Sequence, residues 1–173
     1  MGNETGNNNT FAVIGAGMSG VLAGIKLMKA GYSFQIFEKA DRVGGTWREN
    51  TYPGIACDVP SHIYSYSFEL NPDWSEFTSP GSEVQEYFEK VSQRYGIDPH
   101  IRFNEAVIRC TWMGDEWELE TEKGNVERFR WVIAATGILH HPKYPNIEGV
   151  DDFEGSMFHT ARWDHDVSIE GKK

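Results

Sequence analysis

Thr10–Glu38, TFAVIGAGMSGVLAGIKLMKAGYSFQIFE, is the stretch whose reading decides the fold. Phe11 to Ile14 is a short apolar run that suits a buried strand. It enters Gly15-Ala16-Gly17-Met18-Ser19-Gly20. Apolar positions Val21, Leu22, Ile25 and Leu27 then follow a helical pattern, which Gly31 stops. A second apolar run, Phe34 to Phe37, ends at an acid, Glu38. Strand, G-x-G-x-x-G turn, helix, strand and acid, in that order, form the fingerprint of a βαβ unit that holds a dinucleotide.

Each part has a physical task. Gly15 permits the tight turn out of the strand. Gly17 has no side chain, so a pyrophosphate can approach the backbone. Gly20 lets the helix pack closely on the strand. The helix N-terminus presents N–H groups and a partial positive charge to phosphate. Glu38 stands eighteen residues after Gly20, near the spacing of an acid that holds a ribose hydroxyl pair. A carboxylate there repels a 2′-phosphate. The site is therefore expected to accept the adenosine half of FAD or NAD and to reject NADP.

The chain has 173 residues, enough for a domain with its own core. Its 39% hydrophobic and 24% charged residues describe a globular chain, and its net charge of −10 disfavours nucleic acid or an anionic membrane as partner. Cys57 and Cys110 show neither metal spacing nor C-x-x-C, which fits two free thiols in a reducing compartment and a cytoplasmic location. Residues 1–9 are rich in Gly and Asn with no basic segment, and read as a disordered tail rather than a signal peptide.

Beyond Glu38 and Lys39, the adjacent Gly44 and Gly45 suggest a second place where backbone approaches a ligand. Arg48 to Asp73 has no sustained period and many turn residues; a loop of this length is usually functional. Ser82 to Tyr95 reads as a helix, with Ser82 and Gln85 as a capping box and Val84, Tyr87, Phe88, Val91 and Tyr95 as its apolar face. Ile101–Phe103 is a short strand expected to extend the sheet. Val107–Met113, Glu116–Thr121 and Val126–Arg130, separated by Gly and Asn turns, read as an antiparallel meander inserted at 106–130. Trp112, Trp117 and Trp131 are expected to be packing residues. Trp131–Ala135 is a continuous apolar run, expected to be a buried strand. It ends at Thr136-Gly137, where a glycine at a strand's carboxyl end suits a ligand. His140-His141 lacks a third ligand at convincing spacing, as do His159 and His165, so no metal is expected.

Four stretches carry a family resemblance: GAGMSG (15–20), GGTWRENTYPGIACD (44–58), Ala135-Thr136-Gly137 with the following LHHPKYPNIEG, and FEGSMFHTARWD (153–164). The last fits F-x-G-x-x-x-H-x-x-x-W-[PD] through Phe153, Gly155, His159, Trp163 and Asp164. From Thr10 to Lys173 the chain resembles the FAD-binding part of a type I Baeyer–Villiger monooxygenase, a class B flavoprotein monooxygenase. The resemblance implies an α/β, Rossmann-like FAD-binding domain over 10–150, with a parallel sheet and the inserted meander, and a linker over 151–173. Gly15, Gly17, Met18, Ser19 and Gly20 would hold the FAD pyrophosphate, and Glu38 the adenosine ribose, with Lys39 beside it in the cofactor site. Gly45, Thr46, Trp47 and Arg48 would lie along the FAD. Asp58 and Tyr64 would border its ring system, Asp58 also facing the nicotinamide as the catalytic acid residue. Val107 would contact the adenine, and Thr136 and Gly137 the cofactor. His159 and Trp163 would sit where FAD and NADPH domains join.

The implied reaction is NADPH- and O2-dependent conversion of a ketone to an ester or lactone. A complete enzyme would carry a second G-x-G-x-x-G just after Ile169–Lys173. The chain is therefore expected to be truncated before its NADPH domain and inactive alone, with self-association or pairing with a complementary fragment as a consequence. Two other readings stay open. One is an N- or S-oxygenating flavin-containing monooxygenase, which Trp163-Asp164 argues against. The other is a flavin-binding module without turnover.

Overall fold

The computed structural model describes residues 10–139 and 141–171. The chain divides into two compact units: one up to Gly45 and from Glu86 to Ile138, the other from Thr46 to Gln85 and from Leu139 onward. Residues 46–85 group with the residues from 139 onward.

In the first unit, β1 (Phe11–Ile14), β2 (Phe34–Phe37), β3 (Ile101–Arg102) and a late strand, Trp131–Ala134, form a parallel sheet. Helix α1 (Met18–Lys29) connects β1 to β2 and buries Gly20, Val21, Gly24, Ile25 and Leu27. Gly24 is where helix meets sheet: a Cβ there would stand 3.0 Å from Ile36 and 3.2 Å from Phe34. Gly31, at φ +77°, turns the chain out of α1, while the Tyr32 amide donates to the Leu27 carbonyl.

The short α2 (Thr46–Glu49) opens the second unit, and α3 (Gly81–Arg94) runs from that unit into the first. Val84, Tyr87, Phe88 and Val91 of α3 are buried, as their spacing requires. The capping box does not form as expected. The helix starts one residue earlier, at Gly81, with the Pro80 carbonyl accepting from the Val84 amide. Ser82 therefore lies inside the first turn, and the Glu83 carboxylate instead accepts from the Ser75 amide and hydroxyl.

Strands β4 (Val107–Trp112), β5 (Trp117–Thr121) and β6 (Val126–Phe129) form the expected antiparallel meander in the order β4-β5-β6. Its inner residues Leu119 and Phe129 pack with Ala12 and Phe37 of the parallel sheet, joined by Ile14, Val107, Trp117 and Val132. The Phe129 and Phe37 rings meet edge to face at 5.8 Å.

The last strand, β7 (Trp131–Ala134), pairs in register with β1 but is not buried. The described sheet has the order β3-β2-β1-β7, which leaves β7 at an edge with only one strand neighbour. Trp131 is 52% exposed, stacked on Phe11, and Trp112 is 50% exposed against Trp117. An apolar run thus foretold a strand correctly but not its burial, because burial depends on what lies beyond the strand. No helix among the described residues is long and apolar enough to cross a membrane.

Candidate functional site

The first unit brings the predicted dinucleotide residues together. The glycine turn sits at the carboxyl ends of β1 and β7, where open α/β sheets bind ligands. Gly15 has φ +100°, and a Cβ on it would lie 2.5 Å from the Ala135 carbonyl oxygen. A Cβ on Gly20 would lie 1.9 Å from the Gly15 carbonyl oxygen. Neither position can carry a side chain. Gly17 is the N-cap of α1, and no side chain caps it; the first turn, Met18-Ser19-Gly20, holds no acid. Such a helix start suits an anion.

Gly45 does more than its sequence position foretold. It has φ +56°, and a Cβ on it would stand 3.1 Å from the Gly17 Cα. The Gly44 amide donates to the Ala16 carbonyl at 3.1 Å. The second glycine pair therefore packs on the first glycine turn, backbone against backbone. Thr136 and Gly137 follow Ala135, whose amide donates to the Ile14 carbonyl, so they emerge beside Gly15; both are exposed.

Glu38 is 4% exposed, and its carboxylate turns into the glycine turn. Oε2 accepts from the Ala16 amide at 2.7 Å and Oε1 from the Ala40 amide at 3.0 Å. Bonds from backbone N–H groups to a carboxylate are among the stronger neutral-to-charged hydrogen bonds. They fix the acid at the end of β2. Lys39, the next residue, is exposed. Val107 is half-buried, with its side chain against the meander core.

The second unit gathers the other predicted residues. The Trp47 indole N–H donates to the Tyr64 hydroxyl at 3.1 Å, and the two rings meet edge to face at 5.5 Å. Burial pushes the Tyr64 phenol above its ordinary pKa; the Trp47 bond works against this, and the charges of Cys57 and Asp58 add to it. Cys57 is buried, and its amide donates to the Ser79 carbonyl, while Asp58 is exposed. Thr46 begins α2, and the Arg48 guanidinium pairs with Glu49 at 2.8 Å.

The signature at 153–164 builds a local cluster in the same unit. The Phe153 ring lies over Gly155, where a Cβ would stand 2.4 Å from it. His159 Nδ1 accepts from the Ala161 amide at 3.0 Å, and the His159 amide donates to the Tyr144 hydroxyl at 3.2 Å. Trp163 packs edge to face on Phe158, and Asp164 accepts from the Asp166 amide. Arg162 pairs with the second oxygen of Glu49 at 2.9 Å, and Thr51 hydrogen-bonds His165 at 2.8 Å.

Sequence reasoning missed three contributors. Ala16 acts through its amide alone, which no side-chain pattern reveals. Glu49 bridges Arg48 and Arg162 across 113 residues, a distance no local spacing reports. Glu105 is a buried acid with no motif around it. His141 is exposed, and His140 lies outside the described residues, as do the tail at 1–9 and residues 172–173. Among the described residues, no group of three His, Cys, Asp or Glu side chains could hold a metal ion.

The fold and the glycine turn define a dinucleotide-binding, Rossmann-like domain, and the family model for an NAD(P)-binding Rossmann-like domain matches residues 13–79. The chain is 49% identical over 170 residues to an uncharacterized monooxygenase of Mycobacterium tuberculosis, a match covering 98% of this chain and 34% of that protein. It is 46% identical over 165 residues to a Baeyer–Villiger monooxygenase of Streptomyces coelicolor, covering 94% of this chain and 32% of that one. The closed crystal structure of cyclohexanone monooxygenase superposes with a TM-score of 0.85 at 36% identity, over 95% of this chain and 32% of its own. A structure of OTEMO in complex with FAD and NADP superposes with a TM-score of 0.84 at 30% identity, over 96% and 33%. By sequence and fold the chain is similar, over most of its own length, to part of these Baeyer–Villiger monooxygenases. It spans about a third of the length of the relatives it matches.

Proposed function

We propose that this chain is the FAD-binding part of an NADPH- and O2-dependent flavoprotein monooxygenase that converts ketones to esters or lactones. The observation that carries the reading is Glu38, buried at the end of β2 and held on the amide of the glycine turn. That arrangement supports binding of an adenosine ribose with the pyrophosphate at the start of α1. The carboxylate accepts from ribose hydroxyls; the Met18–Gly20 turn and Gly17 receive the phosphates, with Gly45 holding Gly17 in place. Lys39, Val107, Thr136 and Gly137 complete the adenosine side.

The family resemblance gives Thr46, Trp47 and Arg48 of the second unit to the flavin, with Asp58 and Tyr64 at its ring system. The Trp47–Tyr64 bond fixes the indole, and Asp58 would face the nicotinamide. His159 and Trp163 serve the junction with an NADPH-binding part. When bound, the flavin supplies the redox chemistry: NADPH reduces it, and it activates O2 for insertion next to a carbonyl. The residues of this chain bind it, orient it and exclude water.

The test is product analysis on a chimera in which this chain replaces the matching segment of the Streptomyces coelicolor relative. NADPH-dependent conversion of cyclohexanone to its lactone is expected. Oxidation of a sulfide with the ketone untouched would favour the N/S-oxygenating reading. Tight FAD binding without either product would favour a flavin-binding module.

A further inference from the structure

The backbone of Glu38 is held from both sides by one short segment. The Glu38 amide donates to the Arg102 carbonyl at 3.0 Å, and the Glu38 carbonyl accepts from the Glu105 amide at 2.9 Å. The Asn104 amide donates to the Ala40 carbonyl at 2.9 Å, and Asn104 is the one non-glycine residue at positive φ, +52°, among the described residues. Residues 102–105 thus wrap the turn that carries the acid, in a conformation that L-residues adopt at a cost.

Something must hold that wrap in place, and the Glu105 side chain is built to do so. It is 5% exposed. Its Oε1 accepts from the Thr121 hydroxyl at 3.1 Å and from the Asn125 side-chain amide at 2.8 Å. Arg102 and Lys123 each stand 3.9 Å from its carboxylate. Arg102 in turn pairs through both guanidinium nitrogens with Glu127 on β6 and lies over the Phe37 ring. A buried carboxylate is costly unless paired and hydrogen-bonded, and here every partner except Arg102 belongs to the meander. The wrap around Glu38 is therefore fastened to the inserted sheet through the Glu105 carboxylate and through the Arg102–Glu127 pair.

We propose that Glu105 is a positioning residue for adenosine binding: through residues 102–105 it ties the meander to the backbone of Glu38 and sets that acid for the ribose. This gives the insertion a task beyond core packing, and it rests on the reading of Glu38 as the ribose acid.

The test is a double-mutant cycle read by FAD titration of this chain, with Glu38→Ala, Glu105→Ala, Glu105→Gln and the Glu38→Ala/Glu105→Ala pair. Glu105→Ala is expected to weaken FAD binding about tenfold in the parent chain and less than about twofold in the Glu38→Ala background. Glu105→Gln keeps the Oε1 acceptor and is expected to restore most of the loss. If Glu105→Ala does not fold, Thr121→Val with Asn125→Ala removes the same two donors and carries the same expectation. Absence of FAD binding, or no loss with Glu38→Ala, would overturn the ribose reading and the proposal together. Loss with Glu38→Ala but none with Glu105→Ala would overturn the proposal alone. An equal loss in both backgrounds would make Glu105 merely structural and overturn it as well.

Discussion

Gly20→Ala is expected to destabilise the first unit by at least ~3 kcal/mol, beyond the usual range of overpacking substitutions. The added methyl would lie 1.9 Å from the Gly15 carbonyl oxygen and 2.9 Å from its carbon. A flexible side chain can swing aside, but this neighbour is backbone, held at φ +100° against Ala135. Relief requires α1 to move off β1 or the glycine turn to open. Either movement also displaces the Ala16 amide from Glu38. The control is Gly31→Ala. Gly31 also has positive φ, but a Cβ there meets nothing within 4 Å, so only the backbone penalty of about 1–2 kcal/mol applies. Urea unfolding of the two variants, compared at unchanged slope, measures both costs. Equal losses would show that the close approach of Gly20 to Gly15 is not what demands glycine.

Phe129→Ala is expected to cost about 3–5 kcal/mol, the range for removing a buried aromatic ring. The Phe129 side chain is fully buried and meets Phe37 edge to face, with Ala12 and Leu119 in the same cluster. With Leu119 it carries the core that the meander shares with the parallel sheet. Truncation leaves a cavity between two sheets that have few ways to close it, since β1 and β2 are locked in parallel register. Urea unfolding followed by tryptophan fluorescence reads the change. A loss under about 1 kcal/mol would mean that the meander is held by its polar ties rather than by this core.

The two sheets and the connections between them were legible in the sequence for a physical reason. The strand–glycine–helix–strand pattern of residues 11–37 leaves almost no other way to bury its apolar positions. The meander was legible from period-two runs separated by Gly and Asn turns. Glu38 was legible because its spacing from Gly20 is fixed by the length of α1. Other features were not, because they depend on partners distant in sequence. Trp131–Ala134 has the composition of a central strand, yet its burial is decided by the far side of the sheet. The pairing of Glu49 with Arg162 and of Glu105 with Thr121 and Asn125 arises only after folding. Gly45 read as a ligand contact because glycine pairs often are; what the fold shows is that it makes room for Gly17. The start of α3 moved by one residue because the Pro80 carbonyl closes the first turn, a role that backbone performs whatever the side chain.

We propose that this chain holds FAD by its adenosine half through Glu38 and the glycine turn. The most direct measurement is a titration of the 173-residue chain with FAD and, separately, riboflavin, followed by flavin fluorescence and repeated with Glu38→Ala. Saturable binding of FAD, little binding of riboflavin, and a loss of about tenfold or more in the variant are expected, as for removal of hydrogen bonds to a charged group. Equal binding of FAD and riboflavin, or FAD binding unchanged by Glu38→Ala, would contradict the account.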